Sequence, residues 1–270
     1  YVSPQHLNIE GLSTNLLYTG NKVQVKDLNA TVNGARVKLD AEVDNFAEPK
    51  FKFKATAYGF NIEKGILNAE LQGSGQYKNP EDMKAEIRIN LPDSQIMGKK
   101  IDGSIDRIKI DGVNVEIQGG VIKTDFGEAS FRGNANVERL LKKSGMNNFD
   151  LKLSLKNVNL SKTPEFVKNQ SDIGVVNADL GIEGKWKEME DLEAKVNVNG
   201  FRQKGKIGEI KLKGVVEATR SNAKFDLVSN LSRINLFPII RDRGYVSNIN
   251  SNLRFKGSAP LSGNLEGLVV

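Results

Sequence analysis

The stretch NAELQGSGQYKNPEDMKAEIRI (residues 68–89) decides the fold, because the chain repeats its pattern as NADLGIEGKWKEMEDLEAKVNV (residues 177–198). Both copies open with Asn-Ala-acid-Leu, continue with a Gly and an aromatic residue, and end in alternating apolar and polar residues, all at one constant offset. A third copy opens at Asn250 and continues with Leu253 and Gly257. Repetition of a multi-strand unit predicts an elongated architecture in which each unit buries apolar surface against its neighbours.

Strict alternation of apolar and polar residues marks the strands. It occurs over residues 37–43, 51–55, 85–91, 113–117, 151–155, 194–198 and 210–212. Because successive side chains of a strand point to opposite faces, each segment has one apolar and one polar face. Hairpin turns are predicted at Asn33-Gly34, Asp102-Gly103, Asp111-Gly112 and Asn199-Gly200, since these residue types tolerate positive φ. Short connections between such strands predict an antiparallel meander.

Three segments break the alternation and predict short helices or turns at unit junctions: residues 137–145, 163–167 and 236–240. The predicted fold class is therefore all-β with a few short helices, an elongated antiparallel meander sheet built from repeated units. The units run approximately over residues 1–64, 65–174, 175–244 and, incompletely, 245–270. No domain boundary is predicted within residues 1–270, and we expect the chain to be a segment of a longer protein.

The residue types that most catalytic and metal sites need are scarce. Cys is absent and His6 is the only histidine, which leaves no metal ligand set and no Cys or His nucleophile scheme. Carboxylates such as Glu86 and Glu116 are spread singly along polar faces. We therefore expect no enzyme activity, no cofactor and no metal. No apolar run approaches the roughly 20 residues of a membrane-spanning helix.

The net charge of +6 comes from 39 Lys and Arg against 33 Asp and Glu. It fits a solvated face on which lysines lie opposite carboxylates of adjoining strands, and it also fits attraction to anionic headgroups or nucleic acid. Nucleic-acid binding would require aromatic side chains interleaved with basic ones, whereas the basic cluster at residues 204–213 is interleaved with acidic and aliphatic residues. We therefore expect no nucleic-acid partner.

Two recurring motifs give the chain a resemblance to a known family. The opening apolar-Asn-Ala-acid-Leu with a following Gly occurs at residues 67–75 and 176–184, and an apolar-Asn-apolar closing triplet occurs at 60–62, 158–160 and 234–236. The pattern resembles the AsmA-like superfamily of bacterial envelope proteins, most closely its TamB-like periplasmic bridge-like lipid transfer proteins. The resemblance covers nearly the whole chain and brings no catalytic motif.

That resemblance implies a long sheet folded into an open hydrophobic groove (a β-taco) that crosses the periplasm from an inner-membrane anchor. The implied partners are phospholipid, the inner and outer membranes at the ends of the full-length protein, and an outer-membrane barrel protein. The groove would shield acyl chains, since exposing a lipid with roughly 30 methylenes to water costs about 24 kcal/mol at about 0.8 kcal/mol per CH₂.

The residues expected to line the groove are the apolar members of the alternating segments. They are Val37, Leu39, Ala41, Val43, Phe51, Phe53, Ala55, Ala85, Ile87, Ile89, Leu91, Val113, Val115, Ile117, Leu151, Leu153, Leu155, Ala194, Val196, Val198, Ile210 and Leu212. An alternative also fits the alternation: a β-sandwich or β-solenoid whose interior is filled by its own side chains, as in an adhesin or an envelope-assembly scaffold.

Overall fold

The computed structural model describes residues 8–62, 64–162, 174–188, 191–235 and 247–261. Fifteen strands, one short α-helix and one 3₁₀ turn account for most of this part of the chain, which confirms the all-β prediction. The strands are β1 (Ile9–Thr19), β2 (Lys22–Val32), β3 (Ala35–Asp44), β4 (Lys50–Ile62), β5 (Gly65–Gln76), β6 (Lys84–Ile96), β7 (Lys99–Asp111), β8 (Asn114–Thr124), β9 (Gly127–Asn136), β10 (Asn147–Asn159), β11 (Val175–Trp186), β12 (Glu193–Gly205), β13 (Gly208–Ala218), β14 (Asn222–Ile234) and β15 (Ile249–Pro260). The helix α1 spans Glu138–Lys142 and the 3₁₀ turn Leu160–Lys162.

The strands form an antiparallel meander, as the sequence predicts. The chain divides into two compact units, residues 1–125 with β1–β8 and residues 126–270 with β9–β15. Within each unit every strand is hydrogen-bonded to the strand before and after it in the sequence. Each unit of the sequence repeat therefore contains several consecutive hairpins.

The pairing register of the first unit places apolar residues opposite apolar residues. One row crosses from β3 to β7 through Val43, Phe51, Gly75, Ala85 and Ile110, each paired with the next. The next row on the same face runs through Ala41, Phe53, Gly73, Ile87 and Ile108. Since side chains two residues apart share a face, these rows make one continuous apolar face.

The second unit repeats this arrangement. A row crosses from β10 to β14 through Leu151, Ile182, Val196, Val216 and Phe225. The adjoining row runs through Leu153, Leu180, Val198, Gly214 and Leu227. The second unit therefore also has one apolar face, made by the same alternation that the sequence shows.

A recurring β-bulge explains the opening Asn of the repeats. In β2, β4, β6, β10 and β14 the register shifts, and a residue with positive φ in the shift donates its N–H to an Asn or Asp side chain on the following strand. The pairs are Asp27 to Asp40 (2.9 Å), Gly59 to Asn68 (2.8 Å), Asp93 to Asp102 (3.0 Å), Asn157 to Asn177 (2.9 Å) and Arg233 to Asn250 (2.9 Å). The Asn that opens all three repeats is therefore a bulge acceptor.

The bulge also keeps the apolar face continuous. Ala57 pairs with Ala69 and Phe60 pairs with Leu67, so β4 advances three residues while β5 advances two. Because the bulge adds one residue to β4, the side chains of Phe60 and Ala57 lie on the same face of the sheet although the two residues are three apart. The strand ends after these bulges carry the first residues of the closing triplets, since β4 ends at Ile62, β10 at Asn159 and β14 at Ile234.

The repeated Gly has an equally specific contact. Gly75, Gly184 and Gly257 are paired across the ladder with Phe51, Phe149 and Phe225 or lie beside their rings. A Cβ built on these glycines would stand 2.6, 2.6 and 3.1 Å from the Cζ atom of the respective ring. Each ring therefore lies across a glycine of the next strand, which is why these positions carry no side chain.

Two of the four predicted turns are confirmed. Asn33-Gly34 joins β2 to β3 with φ of 49° and 84°, and Asp111-Gly112 joins β7 to β8. The other two predictions are wrong, because Asp102-Gly103 lies within β7 and Asn199-Gly200 within β12. Asp102 is a bulge acceptor and Asn199-Gly200 lies at a register shift of β12, so both dipeptides mark bulges and not chain reversals.

The predicted helix at residues 137–145 is confirmed by α1, which ends with Lys143 in the left-handed conformation (φ 57°). The segments 163–167 and 236–240 lie outside the described residues.

Candidate functional site: the apolar face of the sheet

The residues predicted to line a groove share one burial state. All of them are half-buried except Ala85, which is buried with 4% exposed. All lie in strands except Val113, which lies in the turn between β7 and β8. The structure brings those of the first unit, apart from Val113, together on one sheet face and does the same for those of the second unit.

Few apolar side chains are enclosed. Among the described residues, the buried apolar ones are Ala35, Ala85, Val176, Ala178 and Ile234. In a packed interior, Leu, Ile and Phe side chains are covered on all sides and are the residues most often fully buried. Here they contact their neighbours along the sheet and keep part of their surface exposed, so the apolar face is available for contact with another apolar molecule.

Several face residues were missed by the sequence analysis. Most of them pair directly with predicted lining residues, and Phe60, Phe149, Phe225 and Leu227 pair with other residues of the same face. The full set is Val23, Val25, Phe60, Leu71, Ile105, Ile108, Ile110, Phe131, Phe149, Leu180, Ile182, Val216, Phe225 and Leu227. The repeat itself contained a signal for Phe149, which aligns with Phe51. Strand register, which the sequence does not show directly, identifies the rest.

The opposite face is polar and carries several ion pairs between neighbouring strands. Ion pairs join Lys22 to Glu42 (2.8 Å), Lys185 to Glu193 (2.9 Å), Lys195 to Glu183 (3.2 Å), Arg202 to Glu209 (2.7 Å) and Arg254 to Asp226 (2.7 Å). The hydrogen bond from Lys22 lowers the pKa of Glu42, and that from Arg254 lowers the pKa of Asp226. Much of the charge is therefore used in cross-strand pairs on a solvated face.

Two shallow depressions occupy equivalent positions in the two repeats. One, of about 560 Å³, is lined by residues that include Asp150, Glu183 and Lys195. The other, of about 470 Å³, includes Lys52 and Glu86. Each depression is lined by one row of residues across the strands and by the polar residues on both sides of that row. The rows contain three of the residues predicted to line a groove: Ala194 in the first depression, and Phe51 and Ala85 in the second.

The described residues contain no cluster of three or more His, Asp or Glu side chains arranged to hold a metal ion. In the same part of the chain no helix combines the length and apolar character needed to cross a bilayer. His6 lies outside the described residues. Gly73 and Gly75 lie inside strand β5 with phenylalanine rings against them, so they do not form a phosphate-binding loop at a helix start.

Comparisons with protein-family models, with curated proteins and with solved structures give no match for this chain.

Proposed function

We propose that the chain binds the acyl chains of phospholipids along its apolar sheet face and acts as a segment of a lipid bridge between the inner and outer membranes. The observation that carries this proposal is the continuous, half-exposed apolar face of each unit. A contiguous apolar surface of this kind is rare on a soluble monomer unless it binds something. A curled sheet would turn the face into the lining of an open groove.

An apolar face of this kind would lower the free-energy cost of moving a lipid through water. A lipid leaving a bilayer exposes acyl chains at a cost of about 0.8 kcal/mol per CH₂. Aliphatic and aromatic side chains such as Ile87, Leu153 and Val196 replace that lost contact without hydrogen bonds. Binding of this kind is weak and uniform along the face, so a lipid would move along the face and would not be held at one position.

The alternative is a structural scaffold with a core packed by its own side chains. A packed core requires the large apolar residues to be nearly fully buried. Phe51 and Leu153 are half-buried and not fully buried, which favours the lipid-binding proposal over this alternative.

The cellular setting rests on the resemblance to the AsmA-like, TamB-like proteins. The motifs that carry the resemblance have a structural basis, since the Asn accepts a bulge N–H and the Gly lies beneath a ring. They therefore support a shared fold. With that resemblance we propose a periplasmic location, an inner-membrane anchor in the full-length protein and an outer-membrane barrel partner.

Site-specific photo-crosslinking tests the proposal. A photoreactive phenylalanine analogue is placed at Ile87 or Leu153 on the apolar face, and at the adjoining Arg88 or Lys152 on the polar face as matched controls. We expect phospholipid adducts from Ile87 and Leu153 and none from Arg88 and Lys152. Absence of adducts at all four positions, or equal adducts on both faces, would contradict lipid binding by the apolar face.

A further inference from the structure

The loop between β9 and β10 exposes large apolar side chains. This segment, residues 137–146, is called here the Leu-Leu loop. Leu140 and Leu141 of α1 are 65% and 43% exposed, and Met146 is 39% exposed. α1 has no buried residue. The helix therefore does not use its leucines to pack onto the sheet.

Hydrogen bonds hold the Leu-Leu loop in this conformation. The Leu140 N–H donates to the Oδ1 atom of Asn147 (3.2 Å), and Asn147 is fully buried. The Glu138 N–H donates to the Oδ1 atom of Asn136 (3.0 Å). At the other side of the helix, the guanidinium of Arg139 contacts the Glu188 carboxylate (3.1 Å). The exposed leucines are thus presented by an anchored turn.

The charge beside the leucines has a positive excess of one. The Leu-Leu loop contains Arg139, Lys142, Lys143 and Glu138; Glu138 pairs with Lys142 (3.3 Å) and Glu188 pairs with Arg139, so the excess is that of Lys143. Lys143 is exposed and directly follows the helix. Basic side chains that flank exposed leucines are the combination by which interfacial segments bind anionic bilayers, because the leucines enter the acyl boundary and the cations meet the headgroups.

We infer that the Leu-Leu loop docks on the surface of an anionic phospholipid bilayer. The complementary charge selects this partner, since the loop has a basic excess beside its apolar tip. This inference does not rest on lipid binding by the apolar sheet face: a chain with a filled face would dock by the same loop.

The chain offers a matched control for exposed leucines. Leu16 and Leu17 of β1 are 68% and 49% exposed, close to the values of Leu140 and Leu141. The only charged residue of β1 is Glu10. If exposure alone caused membrane binding, both leucine pairs would contribute equally.

Flotation with lipid vesicles tests the inference. The chain is mixed with phosphatidylcholine vesicles that contain about 30% phosphatidylglycerol, because anionic headgroups attract Lys and Arg. We expect binding by the wild type that falls in high salt, and about tenfold weaker partitioning for L140S/L141S, since the two side chains that enter the acyl boundary of the bilayer are lost. K143Q should bind about fivefold more weakly, and L16S/L17S should bind as the wild type does.

Wild-type flotation by L140S/L141S, or an equal loss in L16S/L17S, would overturn the inference. So would capture of a protein through the loop with no vesicle binding. Flotation that is lost in Ile87→Asp but kept in L140S/L141S would assign membrane binding to the sheet face and reject the loop. Lipid adducts at Ile87 are measured separately, so failure of the loop and failure of the apolar face are distinguishable. Circular dichroism checks that each variant is folded.

Discussion

Removal of the bulge acceptor Asn68 should destabilise the first unit measurably. Its Oδ1 atom accepts the N–H of Gly59 (2.8 Å), and its Nδ2 atom donates to the carbonyl of Asp93 (3.0 Å). Asn68→Ala deletes both hydrogen bonds, each of which contributes about 0.5–1.5 kcal/mol net. Gly59 is half-buried and Asp93 is exposed, so water replaces the second partner more readily. We expect the free energy of unfolding to fall by about 2 kcal/mol.

Urea denaturation followed by circular dichroism measures this loss. Asn90→Ala is the matched control, because Asn90 lies exposed on the neighbouring strand β6, and its cost should stay within about 0.5 kcal/mol. Asn177→Ala, which removes the acceptor of the Asn157 N–H, should cost about 1 kcal/mol in the second unit. Equal stabilities of Asn68→Ala and Asn90→Ala would refute the claim that the repeated Asn is a folding signal.

Three further predictions concern a glycine beneath a ring, a bulge residue with positive φ, and the cross-strand ion pairs. Gly184→Val should cost about 2 kcal/mol in free energy of unfolding through overpacking against Phe149, whereas Gly181→Val on the same strand meets nothing closer than 3.7 Å and should be tolerated; equal costs would contradict the ring-on-glycine contact. Arg233→Gly should raise thermal stability by about 1 kcal/mol, since Arg233 has φ of 54°, and a lower melting temperature would contradict this. Basic neighbours lower the pKa values of Glu42, Glu209 and Asp226 in the folded chain. Their ion pairs therefore stabilise the fold above the ordinary pKa values of 4.5 for Glu and 3.8 for Asp, and this stabilisation is lost as the pH falls through the lower folded values. Denaturation midpoints that stay constant down to that acidic range would contradict this prediction.

The sequence predicts the meander of strands and most residues of the apolar face. Alternation identifies the apolar side of β3, β6 and β12, because period two is a property of the single strand. The sequence repeat also predicts equivalent hairpins in both units. Val113 was misplaced, because its alternation continues across the turn into β8 and does not show where the strand begins.

The bulges could not be placed from alternation. At Ala57 to Phe60 the apolar spacing changes from two to three, which breaks the pattern on which strand prediction depends. Asp102-Gly103 has the composition of a turn but lies within a strand, since the Asp102 carboxylate accepts the bulge N–H of Asp93. Whether the apolar face is covered depends on tertiary packing, and a single sequence contains no signal for it.

Mass spectrometry of lipids that copurify with the chain distinguishes an open apolar face from a packed one. We expect bound phospholipid in the wild type and in Arg88→Asp, whose change lies on the polar face. We expect loss of that lipid in Ile87→Asp and in Val196→Asp, with folding retained because both positions are half-buried. A wild-type chain free of lipid, or aspartate variants that unfold as a packed core would, contradicts an open apolar face that binds acyl chains.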